Sequence, residues 1–158
     1  MEIVKVILIG IGATAVMDVW LMLLKRLGVP TLNFAYIGRW AGHLAHGTFA
    51  HPAIAKSPPV PGELALGWLT HYAIGIAFAA LLVAVQGMQW TGSPTLLPAL
   101  AVGMATAAAP LFVMQPAMGA GIASSKTPTP LKNCLRSVAN HTVFGLGLYL
   151  AAALTALL

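Results

Sequence analysis

Three ionisable side chains, Asp18, His71 and His141, lie within long apolar stretches of the sequence. A carboxylate and an imidazole can exchange protons, because the pKa of histidine lies near neutrality and a nearby carboxylate shifts it. An aspartate inside a membrane span costs about 2.5 to 3.5 kcal/mol on insertion scales, so it usually faces a partner or water. The three residues therefore indicate a proton or solute site. The alternative is a hydrogen bond that only fixes helix register.

The three residues also lie at similar positions along their stretches. Each is seven to nine residues from a flanking charge, which corresponds to about 10 to 14 Å along a helix. We therefore expect Asp18, His71 and His141 to share one polar layer. Gln115 and Asn140, which lie in the same stretches, are predicted to join it.

A second group of histidines lies outside the apolar stretches. His43 and His46 are three residues apart, which places them on one face if the segment is helical, and His51 follows. Imidazoles at this spacing can ligate a transition metal, and Glu63 can add a carboxylate. A metal site at His43, His46 and His51 is one prediction, and solvated histidines near the membrane surface are the alternative.

Small residues flank two of the histidines inside the apolar stretches. His71 and His141 each have a glycine or serine one helical turn before and after them. Small residues let helices approach closely, and packing alone explains them. A flat cofactor such as haem between the two imidazoles is the other interpretation, with both histidines as axial ligands. The cofactors left open are thus haem and a transition metal.

The composition of the chain indicates a membrane environment. Of its 158 residues, 59% are apolar and 7% are charged, whereas a soluble domain carries about 25% charged residues. Four apolar stretches, at 3–24, 64–87, 96–118 and 134–158, are each close to the roughly 20 residues that span a membrane. The sequence therefore predicts an all-α membrane protein, a bundle of four transmembrane helices in a single domain over residues 1–158.

The basic residues indicate how the four spans are oriented. Seven of the eight Lys and Arg residues fall in or just after the first and third connections between spans. By the positive-inside rule, these connections are cytoplasmic and both termini are periplasmic in a bacterial inner membrane. The net charge of +5 lies beside apolar spans and forms no separate basic face. Lipid is therefore an expected partner, and nucleic acid is not.

The first connection, from about Lys25 to Glu63, is too long and too apolar to be a plain linker. We expect it to contain a short interfacial or re-entrant helix on the cytoplasmic side. Arg39 and Glu63 are predicted to help dock this segment against the bundle, with a lipid phosphate competing for Arg39.

A comparison of the two halves of the chain indicates an internal repeat. Ile54-Ala55-Lys56-Ser57 and a proline-rich turn precede His71-x-x-x-Gly75, and Ile122-Ala123-Ser124-Ser125 with two prolines precedes His141-x-x-x-Gly145. The shared order of these matches predicts a duplicated helical hairpin. Because spans one and three run in the same direction, the two hairpins are parallel repeats about an axis along the membrane normal.

The chain resembles a family of small bacterial membrane proteins defined by a domain of unknown function, number 2938. The resemblance covers nearly the whole length and implies a four-span architecture without indicating an activity. Its longest motifs are Gly38-Arg39-Trp40, Met114-Gln115-Pro116, Gly119-Ala120-Gly121-Ile122-Ala123 and Phe144-Gly145-Leu146-Gly147-Leu148-Tyr149.

These features favour a small transporter or permeation protein whose polar layer passes a small solute or ion, with proton coupling. The residues predicted for this site are Asp18, His71, Gln115, Asn140 and His141. Four short spans enclose little volume, so a homodimer is expected to complete the route. The rival functions are a haem-binding electron-transfer module, a membrane-embedded metalloenzyme and a scaffold subunit. The sequence has no nucleotide loop, nucleophile elbow or zinc-protease motif, which disfavours an enzyme.

Overall fold

The computed structural model describes residues 2–157, and these residues form helices and loops without a β-strand. The α-helices are α1 (Glu2–Arg26), α2 (Phe34–Ala45), α3 (Glu63–Gln86), α4 (Leu96–Ala105), α5 (Gln115–Ala117) and α6 (Pro130–Thr155). A π-helix, Pro110–Met114, precedes α5. The predicted all-α fold is confirmed.

Four helical segments among the described residues are long and apolar enough to cross a membrane. They are Glu2–Arg26, Glu63–Gln86, Leu96–Ala117 and Pro130–Thr155. The shortest has 22 residues, or about 33 Å at 1.5 Å per residue, which matches a hydrocarbon core about 30 Å thick. The four predicted spans are therefore confirmed. The last one begins earlier than predicted, at Pro130, because proline fits the first helical position, where its missing N–H is not needed.

The third span is interrupted where its prolines lie. Pro110 and Pro116 lack the N–H that an α-helix requires from interior residues. After α4 ends, the chain adopts the wider π turn, in which the N–H of Gln115 donates to the carbonyl of Pro110, five residues back. The prolines therefore divide this span into an α-helical part and a π-helical part.

The first connection contains the helix α2. Asn33 caps it, because its Oδ1 accepts a hydrogen bond from the N–H of Ala35 at 3.0 Å. Its buried face includes Ile37 and Trp40. The predicted helix in this connection is present, while its cytoplasmic location stays a prediction.

The chain divides into two compact units. Unit 1 comprises Met1–Thr31, Tyr72–Thr106 and Val138–Leu158, and unit 2 comprises Leu32–His71 and Ala107–Ser137. Each unit is built from segments that are distant in sequence. The expectation of one folding domain over the whole chain stays a prediction.

Unit 1 is packed through close helix approaches. A Cβ atom at Gly10 of α1 would lie 2.5 Å from the Cα atom of Ile76 of α3, and one at Gly103 of α4 would overlap Gly145 of α6. Around these contacts lie aliphatic and aromatic side chains such as Phe144, which is 2% exposed. Small residues thus let these helices approach closely, as is usual for helices in membranes.

Unit 2 has a smaller core, in which Trp40 and Ile54 pack with Ala117. Gly38 of α2 lies against the carbonyl of Glu63, so a Cβ atom at position 38 would overlap the main chain of α3. Glycine at this position is what lets α2 lie directly on the start of the second span.

The two segments matched in the predicted repeat have similar local structures. Ile54–Lys56 and Ile122–Ser124 each form one turn of 3₁₀-helix. They differ in backbone conformation, since Ala123 and Ser124 have φ values of 49° and 60°, in the left-handed region. A duplication of the hairpin stays a prediction.

Candidate functional site

Asp18 is a buried carboxylate within the first span. It is 9% exposed, and its Oδ2 accepts a hydrogen bond from the hydroxyl of Tyr72 at 2.8 Å. This bond joins α1 to α3. Asp18 was predicted for the site and Tyr72 was not, although the position of Tyr72 beside His71 within an apolar span pointed to it.

A second bond between spans lies close to Asp18 in the chain. The indole Nε1 of Trp20 donates to Oδ1 of Asn140 at 2.9 Å, which joins α1 to α6. Asn140 was predicted for the polar layer, and Trp20 was not. The structure therefore gives this amide a partner from the same helix that carries Asp18.

The hydrogen bonds of Thr106 indicate which ring nitrogen of His141 carries the proton. The hydroxyl of Thr106 donates to the carbonyl of Gly103 at 2.6 Å, and it also lies 2.8 Å from Nδ1 of His141. A hydroxyl has one proton, so the bond to His141 requires Nδ1–H as the donor. The basic nitrogen of the neutral ring is therefore Nε2. Two phenylalanines, Phe78 and Phe144, pack beside this ring, with centroid distances of 6.2 and 6.4 Å.

These six residues of unit 1 constitute a polar layer: Asp18, Trp20, Tyr72, Thr106, Asn140 and His141. They lie six to eleven residues from the corresponding ends of their spans, or about 9 to 17 Å along the helices. Three hydrogen bonds between side chains thus link all four spans well inside the apolar segments.

Two predicted site residues belong to unit 2 instead. The Oε1 atom of Gln115 accepts a hydrogen bond from Ser124 at 2.8 Å, and Ser124 is 2% exposed. His71 packs against aromatic rings, with its centroid 4.7 Å from that of Phe34 and 6.0 Å from that of Trp68. A single site that contains both His71 and the residues of unit 1 stays a prediction.

Arg39 and Glu63 form a bidentate salt bridge in unit 2. The Nε and Nη2 atoms of Arg39 each donate to one carboxylate oxygen of Glu63 at 2.8 Å. Nη1 donates to the carbonyls of Ile54, Ala55 and Ser57 at 3.1 to 3.3 Å. The hydrogen bond to Glu63 raises the pKa of Arg39 above its usual value. The pair fastens α2 and the following loop to the start of α3.

The loop histidines are only partly brought together. The rings of His43 and His51 are in contact, with centroids 4.9 Å apart, whereas His46 is exposed at the end of α2. Nε2 of His43 donates to the carbonyl of Pro58 at 2.9 Å. Within residues 2–157, no group of three or more His, Cys, Asp or Glu side chains could hold a metal ion. The predicted set of His43, His46 and His51 is therefore not assembled as a ligand group among the described residues, and His46 is the C-cap residue that follows α2.

Four apolar helices joined by a polar layer define a small helical membrane protein. The chain belongs to the family described as "Protein of unknown function (DUF2938)", whose model matches residues 7–155. No curated protein and no solved structure matches the chain.

Proposed function

We propose that the polar layer is an intramembrane site through which the protein passes a small polar solute or ion, with proton coupling. The observation that carries this proposal is the burial of Asp18 within a span, hydrogen-bonded to Tyr72. Ionisable residues in such positions usually face a substrate, a partner or water.

The Tyr72 hydroxyl gives Asp18 a hydrogen-bond donor within the span, at 2.8 Å. An aspartate within a span costs about 2.5 to 3.5 kcal/mol on insertion scales, whereas a hydrogen bond between helices in a membrane contributes about 0.6 kcal/mol on average. The bond alone therefore does not account for a carboxylate at this position, and a role in binding a proton or a cation does.

His141 supplies a second group for proton exchange. Its Nδ1–H is committed to Thr106, so a proton enters or leaves the ring at Nε2. Histidine is the side chain that most often transfers protons in proteins. Asp18 on α1 and His141 on α6 then provide two groups of unit 1 that can exchange protons.

Membrane orientation is part of the same proposal. By the positive-inside rule, the distribution of basic residues supports cytoplasmic first and third connections and periplasmic termini in a bacterial inner membrane. The polar layer would then lie nearer to the cytoplasmic ends of α1, α3 and α6. A second copy of the chain would complete the route, because four short spans enclose little volume.

Proton flux into proteoliposomes tests this function. Purified protein is reconstituted with an enclosed pH-sensitive dye, and a potassium diffusion potential drives proton entry. We expect flux above that of protein-free vesicles, and we expect Asp18→Asn to abolish it because the amide keeps the size and cannot carry the charge. Glu2→Gln, which removes an exposed carboxylate from the same helix, should conduct like the unmodified protein.

Two results would count against the proposal. Equal proton flux through the Asp18→Asn protein would show that the carboxylate is not used. Flux no higher than in protein-free vesicles, combined with a lower melting temperature for Asp18→Asn, would assign the polar layer to fixing helix register, which is the scaffold alternative.

A further inference from the structure

The loop between α2 and α3, residues 47–59, lies along one face of α2, and we call it the strap. The indole Nε1 of Trp40 donates to the carbonyl of Phe49 at 2.8 Å. Arg39 and His43 donate to further carbonyls between Ile54 and Pro58. Side chains of one helix therefore hold the strap through its main chain.

The strap is also bonded to the chain that follows the π-helix. The N–H of His51 donates to the carbonyl of Ala117 at 2.8 Å, and the N–H of Ile54 donates to that of Met118 at 3.0 Å. Gly119 lies so close to Pro52 that a Cβ atom there would overlap its carbonyl oxygen. The strap is thus packed on both sides.

His51 lies at the centre of these contacts and is only 8% exposed. Its Nδ1 atom is 3.0 Å from the hydroxyl of Ser57, and its ring contacts that of His43. Its Nε2 atom is buried and has no hydrogen-bond partner among residues 2–157. A ring enclosed in this way is tolerated when neutral and becomes costly when it gains a charge.

We propose that the strap is a pH-sensitive latch, which opens when the buried imidazole of His51 takes up a proton. The inference concerns unit 2 and does not depend on the proposed transport function. A latch of this kind would expose the main chain of residues 47–59 and the carbonyls of Ala117 and Met118 under acidic conditions.

The groups around His51 oppose its protonation. The titratable side chain that faces it from α2 is His43, and residues 115–119 contribute none. Arg39, bonded to the carbonyl of Ser57, is already paired with Glu63, and Lys56 on the strap is exposed. A proton on His51 therefore adds positive charge beside groups that do not compensate it.

Burial, and then the charge of His43, lowers the pKa of His51 in the closed strap. In the open strap the ring is solvated and returns to its usual pKa of about 6.5. The open state consequently binds the proton more tightly. The stability of the closed strap is complete above about pH 6.5 and falls as the pH decreases toward the lowered value.

Hydrogen exchange followed by mass spectrometry tests the latch on the full chain in detergent. The readout is the protection of the His51 and Ile54 amides, corrected for the intrinsic pH dependence of exchange. We expect protection to be constant between pH 8 and about 6.5. Below this range it should fall about tenfold per pH unit, as expected for one linked proton.

Three variants make the result specific. His51→Gln cannot titrate, so its strap protection should be independent of pH, whether it is high or low overall. His43→Gln removes the neighbouring charge and so raises the pKa of His51 in the closed strap, and protection should therefore stop falling at a higher pH and be lost to a smaller extent. His46→Gln, which removes an exposed histidine from the same helix end, should behave like the unmodified protein.

Several outcomes would overturn the latch. Protection that stays constant from pH 8 to pH 5 would show that protonation does not open the strap. A fall of the same size in His51→Gln would assign the effect to another group, as would its disappearance in His46→Gln.

Discussion

The two units use polar side chains in different ways. In unit 1 they bond to one another across helices, as in the pairs Asp18 with Tyr72 and Trp20 with Asn140. In unit 2 several of them bond to main-chain carbonyls instead, as Arg39 does at three positions. The reason is the backbone, because a helix satisfies its own N–H and C=O groups and an irregular loop does not.

This difference separates residues that hold the fold from residues that are available for function. The strap has carbonyls that need donors, so Arg39 and Trp40 are required to keep it in place. The spans of unit 1 need no such donors, so a carboxylate there is not explained by backbone pairing. Removing a side chain that bonds to the strap should therefore loosen the strap, whereas removing a bond between spans of unit 1 should mainly change proton flux.

The largest structural effect is expected from Arg39→Gln. The change leaves Glu63 without its salt-bridge partner and removes the donor shared by three strap carbonyls, two of which are partly buried. We expect strap amides to lose protection from hydrogen exchange by roughly tenfold or more. The amides of the unit 1 helices should keep theirs.

Two further variants serve as controls for that experiment. Arg26→Gln removes an exposed arginine at the end of α1 and should leave strap exchange unchanged. Arg39→Lys keeps the charge and cannot form the bidentate salt bridge, so strap protection should be intermediate. Normal strap protection in Arg39→Gln would show that the ion pair does not hold the loop.

A smaller effect on stability is expected from Tyr72→Phe in unit 1. Hydrogen bonds between helices in membranes contribute about 0.6 kcal/mol on average, so thermal unfolding in detergent should change little. The proton flux of reconstituted protein should nevertheless change its pH dependence, because Asp18 loses a donor. Tyr149→Phe, at the other half-buried tyrosine of unit 1, is the matched control. A large loss of stability with an unchanged pH profile would instead favour a scaffold role.

The smallest effect on stability is expected from two cysteine substitutions, which test which side of the membrane each end of the spans faces. Ser93→Cys and Ser125→Cys, each in a Cys134→Ala background, replace exposed residues and should not alter stability. A membrane-impermeant maleimide added to intact spheroplasts should label position 93 and not position 125. Labelling at position 125 from outside would reverse the proposed orientation.

The spans could be predicted from sequence because apolar composition and length are sufficient to define them. The break in the third span lies at Pro110 and Pro116, which cannot donate main-chain hydrogen bonds. Asp18 and His141 stood out because charged or titratable groups are rare in spans.

Other parts of the site could not be predicted, for two physical reasons. Tyr72 and Thr106 are compatible with an apolar span, so the sequence does not indicate which side chains on other helices their hydroxyls contact. The partners of Arg39 are carbonyls, which every residue has, and sequence does not indicate which of them a fold leaves exposed. The three-histidine metal site was predicted from the helical spacing of His43 and His46, but α2 ends at Ala45 and His46 is the exposed C-cap residue beyond it.

The π-helix Pro110–Met114 changes the direction in which the residues that follow it face around the axis of the third span. A π turn accommodates one more residue than an α turn, so it offsets the following residues by about 100° around the helix axis. The carbonyl of Ala117 faces the N–H of His51 with this offset in place. Removing one residue from the π turn would restore an ordinary α-helix and direct that carbonyl elsewhere. The position of the strap therefore depends on the number of residues in the π turn as well as on their chemistry.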